Sequence, residues 1–344
     1  MNGLYRLSDL TSSELDGLLG RTHGLRSGAA PTRFPGRALG LVFLNPSLRT
    51  QASFQRAAAL LGLDLVQLGS GSGMWGIEAR DDVVMDGEAA EHVREAARVL
   101  GRYVDVLCVR AFARGESLDE DRADRIFHGL RRFAGVPVVN MESAQWHPCQ
   151  ALADHATLEQ AQVPSAGRFV LTWAYHPKAL PHAVPNSTLQ MAARRGMHVT
   201  LLRPAGFDLH PEVMTEARTL AVNHGGSLDV TDERSALEGA NVIYAKSWRA
   251  LEGYGDAVAD AELRAPHKDW CVDESWFKGA PDARFMHCLP VRRNVVVSDA
   301  VLDGPRSLVI DQAENRLHAQ TALIEALCSG LVPASAMETP LEVS

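Results

Sequence analysis

A serine, an arginine and a threonine lie close together at Ser47, Arg49 and Thr50, just after an apolar run that breaks at Pro46. At the start of a helix, two hydroxyl groups and a guanidinium group can join the free backbone N–H groups in binding a phosphate. The segment could equally be an ordinary helix start, with Ser47 as its N-cap and Arg49 exposed. It predicts a phosphate site only if other polar residues converge on it.

Further polar side chains follow later apolar runs. His147 and Gln150 lie at the mouth of a predicted helix, where they can address a carbonyl oxygen or an amide, and Arg110 closes another run. The segment 287–293, His-Cys-Leu-Pro-Val-Arg-Arg, follows a run in the second half. Each also has an ordinary explanation: a buried histidine, a buried cysteine before a turn-forming proline, or a surface arginine.

The composition and charge of the chain limit the class of protein to which these residues can belong. The chain has 344 residues, 46% hydrophobic and 22% charged, which is typical of globular proteins and long enough for two domains. The net charge is −8 with scattered Lys and Arg, which disfavours a nucleic-acid or anionic membrane surface. Five cysteines without CxxC spacing support neither a disulfide framework nor a zinc site, and no signal-peptide pattern is present. We expect a cytoplasmic protein that uses no metal or cofactor.

Short apolar runs alternate with amphipathic patterns, which predicts an α/β fold of two domains, each a mainly parallel sheet flanked by helices. Strands are predicted at 38–44, 64–68, 104–109, 136–140, 169–173, 198–202, 228–231, 242–245, 284–286 and 307–310. Helices are predicted from Thr11 and at 51–61, 88–103, 119–133, 150–162, 184–195, 211–223 and 312–331.

The domain boundary is expected near Glu142. Residues 1–141 form the first predicted domain and 142–310 the second, and a C-terminal helix within 311–344 packs back on the first. In open parallel sheets ligands bind beyond the carboxyl ends of strands, so the polar segments above lie where chemistry is expected.

Taken together, these segments resemble the aspartate/ornithine carbamoyltransferase family. Its Ser-x-Arg-Thr, His-Pro-x-Gln and His-Cys-Leu-Pro segments occur here in the same order, as Ser47–Thr50, His147–Gln150 and His287–Pro290. The resemblance covers essentially the whole chain. It implies a homotrimer with active sites shared between subunits, and transfer of the carbamoyl group of carbamoyl phosphate to an amine.

The resemblance also assigns site residues. It implies catalytic roles for Arg49, Thr50, Arg110, His147, Gln150 and Cys288. Cys288 is not expected to act covalently, because carbamoyl phosphate is already activated. Carbamoyl phosphate is expected to be bound by Ser47, Leu48, Arg49, Thr50, Trp75, Arg110, His147, Gln150, Cys288, Leu289 and Arg316.

The acceptor is expected to be an N-acylated ornithine. The Asp-x-x-Ser-Met-Gly segment that holds the free α-amino group in ornithine carbamoyltransferases is missing. In its region, residues 172–187 are similar to the proline-rich loop of the acylornithine branch, where the loop is knotted. An acidic clamp is not needed when the α-nitrogen is an uncharged amide. The acceptor is expected to contact Ala90, Glu142, His176, Lys246, Leu289 and Arg292.

Two positions bear on the acyl group. Acetylornithine enzymes of this branch carry a glutamate at the first position and a lysine at the second, where this chain has Ala90 and Val296. The succinylornithine type has uncharged residues at both positions. Its residue at the first position is proline, so Ala90 departs from that type. A carboxylate at position 90 would repel the distal carboxylate of a succinyl group. We expect N-succinylornithine as acceptor. N-acetylornithine is the alternative, and a non-catalytic anion-binding regulator of the same fold is another.

Overall fold

Two parallel β-sheets carry the chain, and their strands alternate with helices. The computed structural model describes residues 3–70 and 73–330. The strands up to Glu142 are β1 (Gly3–Leu4), β2 (Ala38–Phe43), β3 (Asp64–Ser70), β4 (Gly73–Met74), β5 (Ile77–Glu78), β6 (Glu91–His92), β7 (Val106–Arg110) and β8 (Val138–Glu142). The later strands are β9 (Arg168–Trp173), β10 (His198–Leu202), β11 (Ser227–Thr231), β12 (Val242–Lys246) and β13 (Arg284–Met286).

Helices cover these sheets. They are α1 (Ser12–Arg26), α2 (Leu48–Leu61), α3 (Val93–Tyr103), α4 (Leu118–Ala123), α5 (Arg125–Phe133), α6 (Pro148–Gln160), α7 (Ala183–Arg194), α8 (Pro211–Asn223), α9 (Ala257–Arg264), α10 (Asp299–Leu302) and α11 (Val309–Ser329). The predicted α/β fold class is confirmed.

The first sheet has the order β1-β8-β7-β2-β3-β4 and the second β11-β10-β9-β12-β13, and neighbouring strands pair in parallel. In the first sheet the strand order reverses direction at β2, which pairs with β7 on one side and β3 on the other. In the second sheet β9 has the same position between β10 and β12. A crevice for ligands opens at such points beyond the strand ends.

Several predicted elements agree closely with the structure, and the disagreements have local causes. Helix α3 begins at Val93, not at 88, because the His92 ring caps it by accepting a hydrogen bond from the Arg94 N–H (3.2 Å). The helix predicted over 119–133 is broken at Asp124, which has a φ of +44°. The strand predicted at 307–310 is wrong: only Ser307 pairs, with Phe285, and α11 begins at Val309.

The last helix runs back across the molecule and packs against α1, α2 and α6. Arg21 of α1 donates two hydrogen bonds to the Glu325 carboxylate, of 3.0 and 2.9 Å. Arg26, one and a half turns later, donates to Asp311 (2.7 Å) and Asn315 (3.0 Å). The chain divisions at 141/142 and 310/311 stay predictions, as does the knotted loop. Residues 331–344 of the predicted last segment lie outside the described residues.

Candidate active site

The predicted phosphate segment forms the start of α2. Ser47 caps the helix, since its hydroxyl accepts a hydrogen bond from the Thr50 N–H (3.3 Å), and Leu48 is 82% exposed. Asn45 accepts a hydrogen bond from the Phe112 N–H (2.7 Å), which ties the segment to the loop after β7. Ser47 is therefore an N-cap, as the ordinary explanation had it, but the burial of Thr50 means that the helix start faces other parts of the protein.

Arg110, Glu142 and His147 form a buried cluster beside this segment. Arg110 pairs with Phe43 in the sheet, so its side chain leaves the strand next to the end of β2. Its Nη1 donates to Glu142 Oε2 at 2.6 Å, and His147 Nε2 lies 3.4 Å from the same oxygen. A carboxylate thus holds the arginine and the imidazole side by side.

The His147 imidazole is neutral at physiological pH. Burial is the main cause that lowers its pKa well below the ordinary value, and the neighbouring cations Arg316, Arg110, Arg49 and Lys246 lower it further. Its Nδ1 is buried and has no hydrogen-bond partner among the described residues. A neutral imidazole offers one N–H donor and one acceptor nitrogen, so it can donate to a carbonyl oxygen without carrying a charge.

Arg316 of α11 joins the starts of two helices. Its Nη1 donates to Gln150 Oε1 (2.8 Å) near the start of α6, and its Nη2 donates to Thr50 Oγ1 (3.1 Å) near the start of α2. Because a guanidinium group can only donate, the Gln320 amide oxygen also faces it and accepts from Nε at 3.0 Å. The guanidinium group is buried, so these contacts are shielded from water.

A buried carboxylate, missed by sequence reasoning, lies behind Gln150. Asp154 accepts hydrogen bonds from Gln150 (2.7 Å), Gln312 (2.6 Å) and the Tyr244 hydroxyl (3.0 Å). Burial raises the pKa of Asp154 to about 6, although these three donors favour the ionised form. The spacing of Gln150 and Asp154, four residues apart on one helix, was the available signal, because such residues share a face.

The second sheet contributes groups from the ends of β12 and β13. The Lys246 ammonium group is largely buried and has no hydrogen-bond partner among the described residues. Its charge lowers the pKa values of His147 and His287, which locates it close to both. Burial raises the pKa of the nearby Cys288, so its thiol is protonated at neutral pH.

The segment after β13 has a fixed backbone. The His287 N–H donates to Gln312 Oε1 (3.1 Å), and its Nδ1 accepts from the Leu289 N–H (2.9 Å). Leu289 has a φ of +54°, and the Leu289–Pro290 peptide is cis. A left-handed backbone is unfavourable for leucine, so the surrounding contacts must hold this conformation.

His176 and Arg292 form the outer part of the site. The Arg292 Nε donates to His176 Nε2 (3.1 Å), and Arg264 donates to the His176 backbone oxygen (2.8 Å). Burial is the main cause that lowers the pKa of His176, with Lys246 and Arg292 adding to the effect. These three cations therefore surround one neutral imidazole at the mouth of the crevice.

Trp75 and Ala90 lie apart from this cluster. They precede the two paired strands of a small ribbon, β5 and β6, and the Ala90 N–H donates to the Gly76 oxygen (3.2 Å). Trp75 is 61% exposed and its indole donates to Glu91 (2.9 Å). Within the described part of the chain, neither residue has a hydrogen bond to the cluster around Arg110.

The structure thus brings most of the predicted site residues together. Hydrogen bonds and ion pairs connect Thr50, Arg110, Glu142, His147, Gln150 and Arg316. Arg49 lies close enough to Arg110 and Glu142 for their charges to affect its pKa, which burial lowers. The individual roles of these residues stay predictions.

Residues 3–70 and 73–330 contain neither a metal-binding cluster nor a membrane-spanning helix. No group of three or more His, Cys, Asp or Glu side chains has the arrangement needed to hold a metal ion. None of the described helices has the length and apolar character needed to cross a membrane.

Comparison with known proteins gives matches along nearly the whole chain. Residues 3–160 match the family model of the aspartate/ornithine carbamoyltransferase carbamoyl-P binding domain. Residues 181–327 match the model of the Asp/Orn binding domain of the same family.

Individual proteins agree with these models. The chain is 43% identical to the N-acetylornithine carbamoyltransferase of Xanthomonas axonopodis pv. citri over 326 residues, covering 93% of this chain and 95% of that protein. It is 37% identical to the N-succinylornithine carbamoyltransferase of Bacteroides thetaiotaomicron over 297 residues, covering 86% and 88%.

One solved structure is similar throughout. It is a variant of N-acetyl-L-ornithine transcarbamylase in which one glutamate is replaced by alanine, complexed with carbamyl phosphate and N-succinyl-L-norvaline. The two folds agree with a TM-score of 0.92 at 42% identity, covering 95% of this chain and 100% of the other.

Proposed function

Because this chain belongs to the aspartate/ornithine carbamoyltransferase family and is a carbamoyltransferase, we propose that it transfers the carbamoyl group of carbamoyl phosphate to the δ-amine of N-succinylornithine. The products are N-succinylcitrulline and phosphate, as in arginine biosynthesis. The observation that carries the proposal is the contact of one buried guanidinium group, that of Arg316, with both Thr50 and Gln150. Two helix N-termini and a cation then converge on one point, which suits an acyl phosphate with an NH2 group.

The phosphate binds at the start of α2. The backbone N–H groups at Leu48 and Arg49, the side chains of Ser47 and Thr50, and the guanidinium group of Arg110 contact it in this proposal. The burial of Thr50 and Arg110 supports it, since charged hydrogen bonds are stronger where water is excluded.

The carbamoyl oxygen faces Thr50, Arg110 and His147. Attack by the amine makes the carbamoyl carbon tetrahedral and increases the negative charge on this oxygen, which preorganised donors stabilise. The unpartnered Nδ1 of His147 and the unpartnered Nε of Arg110 support this assignment, because buried polar atoms without a partner are rare.

Proton transfer does not need a dedicated protein base. The δ-amine has an ordinary pKa of about 10.4, so it must lose a proton before it attacks. The attacking nitrogen forms the new C–N bond as the C–O bond to phosphate breaks, and the departing phosphate takes the second proton from that nitrogen. Positioning and charge stabilisation therefore supply most of the catalysis.

The charges at the mouth of the crevice favour a succinyl group. N-succinylornithine has two carboxylates, on the α-carbon and at the end of the acyl chain, whereas N-acetylornithine has one. Lys246 and Arg292, both near His176, supply two cations for two carboxylates. Glu142 and Leu289 contact the amide and the ornithine chain in this arrangement.

Ala90 supports the same acyl group. We propose that it takes the place of the glutamate that is replaced by alanine in the transcarbamylase variant complexed with N-succinyl-L-norvaline. Val296 is apolar and buried, and it therefore supplies no charge at the position where the acetylornithine type has a lysine. The higher identity to an N-acetylornithine enzyme, 43% against 37%, favours N-acetylornithine as the second candidate acceptor.

Trp75 and Ala90 serve the site of a neighbouring subunit in this proposal, and the protein is a homotrimer. The exposure of Trp75, whose indole donates to Glu91 and not to the cluster around Arg110, supports this arrangement. Light scattering that gave a monomer mass at the assay concentration would contradict it.

The test is an assay of ureido product with carbamoyl phosphate and, separately, ornithine, N-acetylornithine and N-succinylornithine. We expect the highest kcat/KM with N-succinylornithine. A higher value with N-acetylornithine would select the second candidate, and a higher value with ornithine would contradict an acylated acceptor. No product with any of the three would favour a non-catalytic anion-binding regulator.

A further inference from the structure

Asp154 connects three elements that surround the proposed carbamoyl site. Its Oδ1 accepts from Gln150 on its own helix α6 and from Gln312 on α11, and its Oδ2 accepts from Tyr244 on β12. The Gln312 amide also donates to the Tyr244 hydroxyl at 3.1 Å. The carboxylate is fully buried, so its lone pairs are used by the protein and not by water.

The chemistry of its neighbours fixes the orientation of the Gln150 amide. On one side Asp154, when ionised, can only accept hydrogen bonds; on the other side Arg316 can only donate them. The amide NH2 must therefore face Asp154 (2.7 Å) and the amide oxygen must face Arg316 (2.8 Å). In the reverse orientation the Gln150 NH2 group would face the Arg316 donors, and the Gln150 oxygen would face the Asp154 carboxylate.

The Gln150 oxygen consequently lies on the side of the helix start at Thr50. Arg316 donates to both residues, so this oxygen and the Thr50 hydroxyl share one guanidinium group. A carbonyl oxygen has two lone pairs, and Arg316 engages one of them. The second can accept a hydrogen bond from an amino group held beside Thr50.

We propose that Asp154 is a positioning residue that holds the Gln150 amide oxygen toward the donor substrate, so that the site selects an acyl phosphate with an amino group over one with a methyl group. This inference rests on the proposed function. Carbamoyl phosphate and acetyl phosphate have nearly the same shape, and they differ in that the first carries NH2 where the second carries CH3. A fixed acceptor favours the first, because the methyl group leaves the second lone pair of the buried Gln150 oxygen without a donor.

The same carboxylate also holds the segment that follows β13. Through Gln312, whose NH2 faces Asp154, it directs the Gln312 oxygen to the His287 N–H (3.1 Å). Two amides are thus oriented by one acceptor, one on each side of the crevice. Loss of the carboxylate should disturb both orientations without changing the phosphate-binding end of α2.

The test measures the binding of carbamoyl phosphate, acetyl phosphate and inorganic phosphate without any acceptor, in the full-length protein and in Asp154→Asn. The asparagine has the same size, but it loses the negative charge, and one of the two accepting oxygens becomes an NH2 group that cannot accept. We expect the ratio of affinities for carbamoyl over acetyl phosphate to fall about tenfold, as loss of one buried hydrogen bond would give. The affinity for inorganic phosphate should change by less than about twofold.

Thr157→Val is the matched control. Thr157 lies one turn beyond Asp154 on α6 and accepts a hydrogen bond from Asn315 of α11 (2.8 Å), so its loss also weakens the contact between these helices. It does not contact Gln150 through any hydrogen bond of the described residues. The control should lower the melting temperature and leave the affinity ratio unchanged.

The outcomes separate the inference from the proposed function. An unchanged affinity ratio in folded Asp154→Asn, or an equal loss of affinity for all three ligands, overturns the positioning role. The positioning role is also overturned if the protein without substitutions binds carbamoyl phosphate and acetyl phosphate equally well. If that protein shows the preference but carbamoylates no acceptor, the proposed function fails separately. If Asp154→Asn does not fold, Asp154→Ser is measured by the same ratio.

Discussion

Replacing Ala90 with glutamate should move the acceptor preference from N-succinylornithine toward N-acetylornithine. Ala90 is exposed and its backbone is held to Gly76, so the new carboxylate would extend from a fixed ribbon. A succinyl group carries a distal carboxylate that this charge would repel, whereas an acetyl group carries none.

The magnitude follows from Coulomb's law. Two like charges about 5 Å apart repel by about 3 kcal/mol at an effective dielectric constant of about 20, and by about 0.8 kcal/mol in water. In the proposed site between subunits, which is partly open to water, a value between these limits applies, about 1 to 2 kcal/mol. The kcat/KM for N-succinylornithine should therefore fall about 5- to 30-fold.

The assay compares kcat/KM for the two acylornithines at low and high salt. Val84→Glu is the matched control, because it adds the same charge to the same segment at a side chain that is 78% exposed. The fall with N-succinylornithine should shrink at high salt, since ions screen exposed charges. The repulsion argument is refuted by an unchanged ratio of the two kcat/KM values, or by an equal fall with both acceptors.

Two other predictions concern the carbamoyl phosphate side. Arg316→Lys should lower kcat/KM for carbamoyl phosphate about 100-fold, because one ammonium group cannot replace a guanidinium fork that donates to both Thr50 and Gln150. Arg26→Lys, which changes another arginine that contacts α11, is the control. A fall of less than about threefold in Arg316→Lys would contradict the role. The His147 imidazole should stay neutral and show no titration by NMR between about pH 6 and pH 8, because burial and nearby cations lower its pKa; a midpoint near the ordinary value would show that the site is open to water.

Much of the architecture follows from sequence pattern. The helix from Thr11 has the capping box that its sequence predicts, with Thr11 and Glu14 bonded to each other's backbone N–H groups. The buried parallel strands read as continuous apolar runs and were found to within about two residues. The polar segments after β2 and β7 do meet, as expected for neighbouring strand ends of one sheet.

The local sequence pattern did not predict the structure at positions where a contact with a distant part of the chain decides it. Asp124 stops a helix that its neighbours favour, because its buried carboxylate accepts from Tyr5 (2.9 Å) and the Ala144 N–H (2.9 Å). These partners are distant in sequence, so no local window contains the cause. The ribbon of Trp75 and Ala90 was missed for a similar reason, since its pairing joins segments too short to show an alternating pattern.

Gln312 and Gln320, which the motifs missed, lie on α11 together with the predicted Arg316, and their spacing explains why they were missed. Gln312, Arg316 and Gln320 are each four residues apart, so they form one polar stripe on a single helix face. A polar stripe usually faces solvent, yet these three side chains are buried and the stripe runs between α2 and α6. Burial of three polar side chains requires partners for all of them. Asp154 accepts from Gln312, Gln150 and Thr50 accept from Arg316, and the Gln320 amide pairs with Arg316 and Ser53. The helix can therefore pack in one register only, and this register brings Arg316 to the proposed phosphate site.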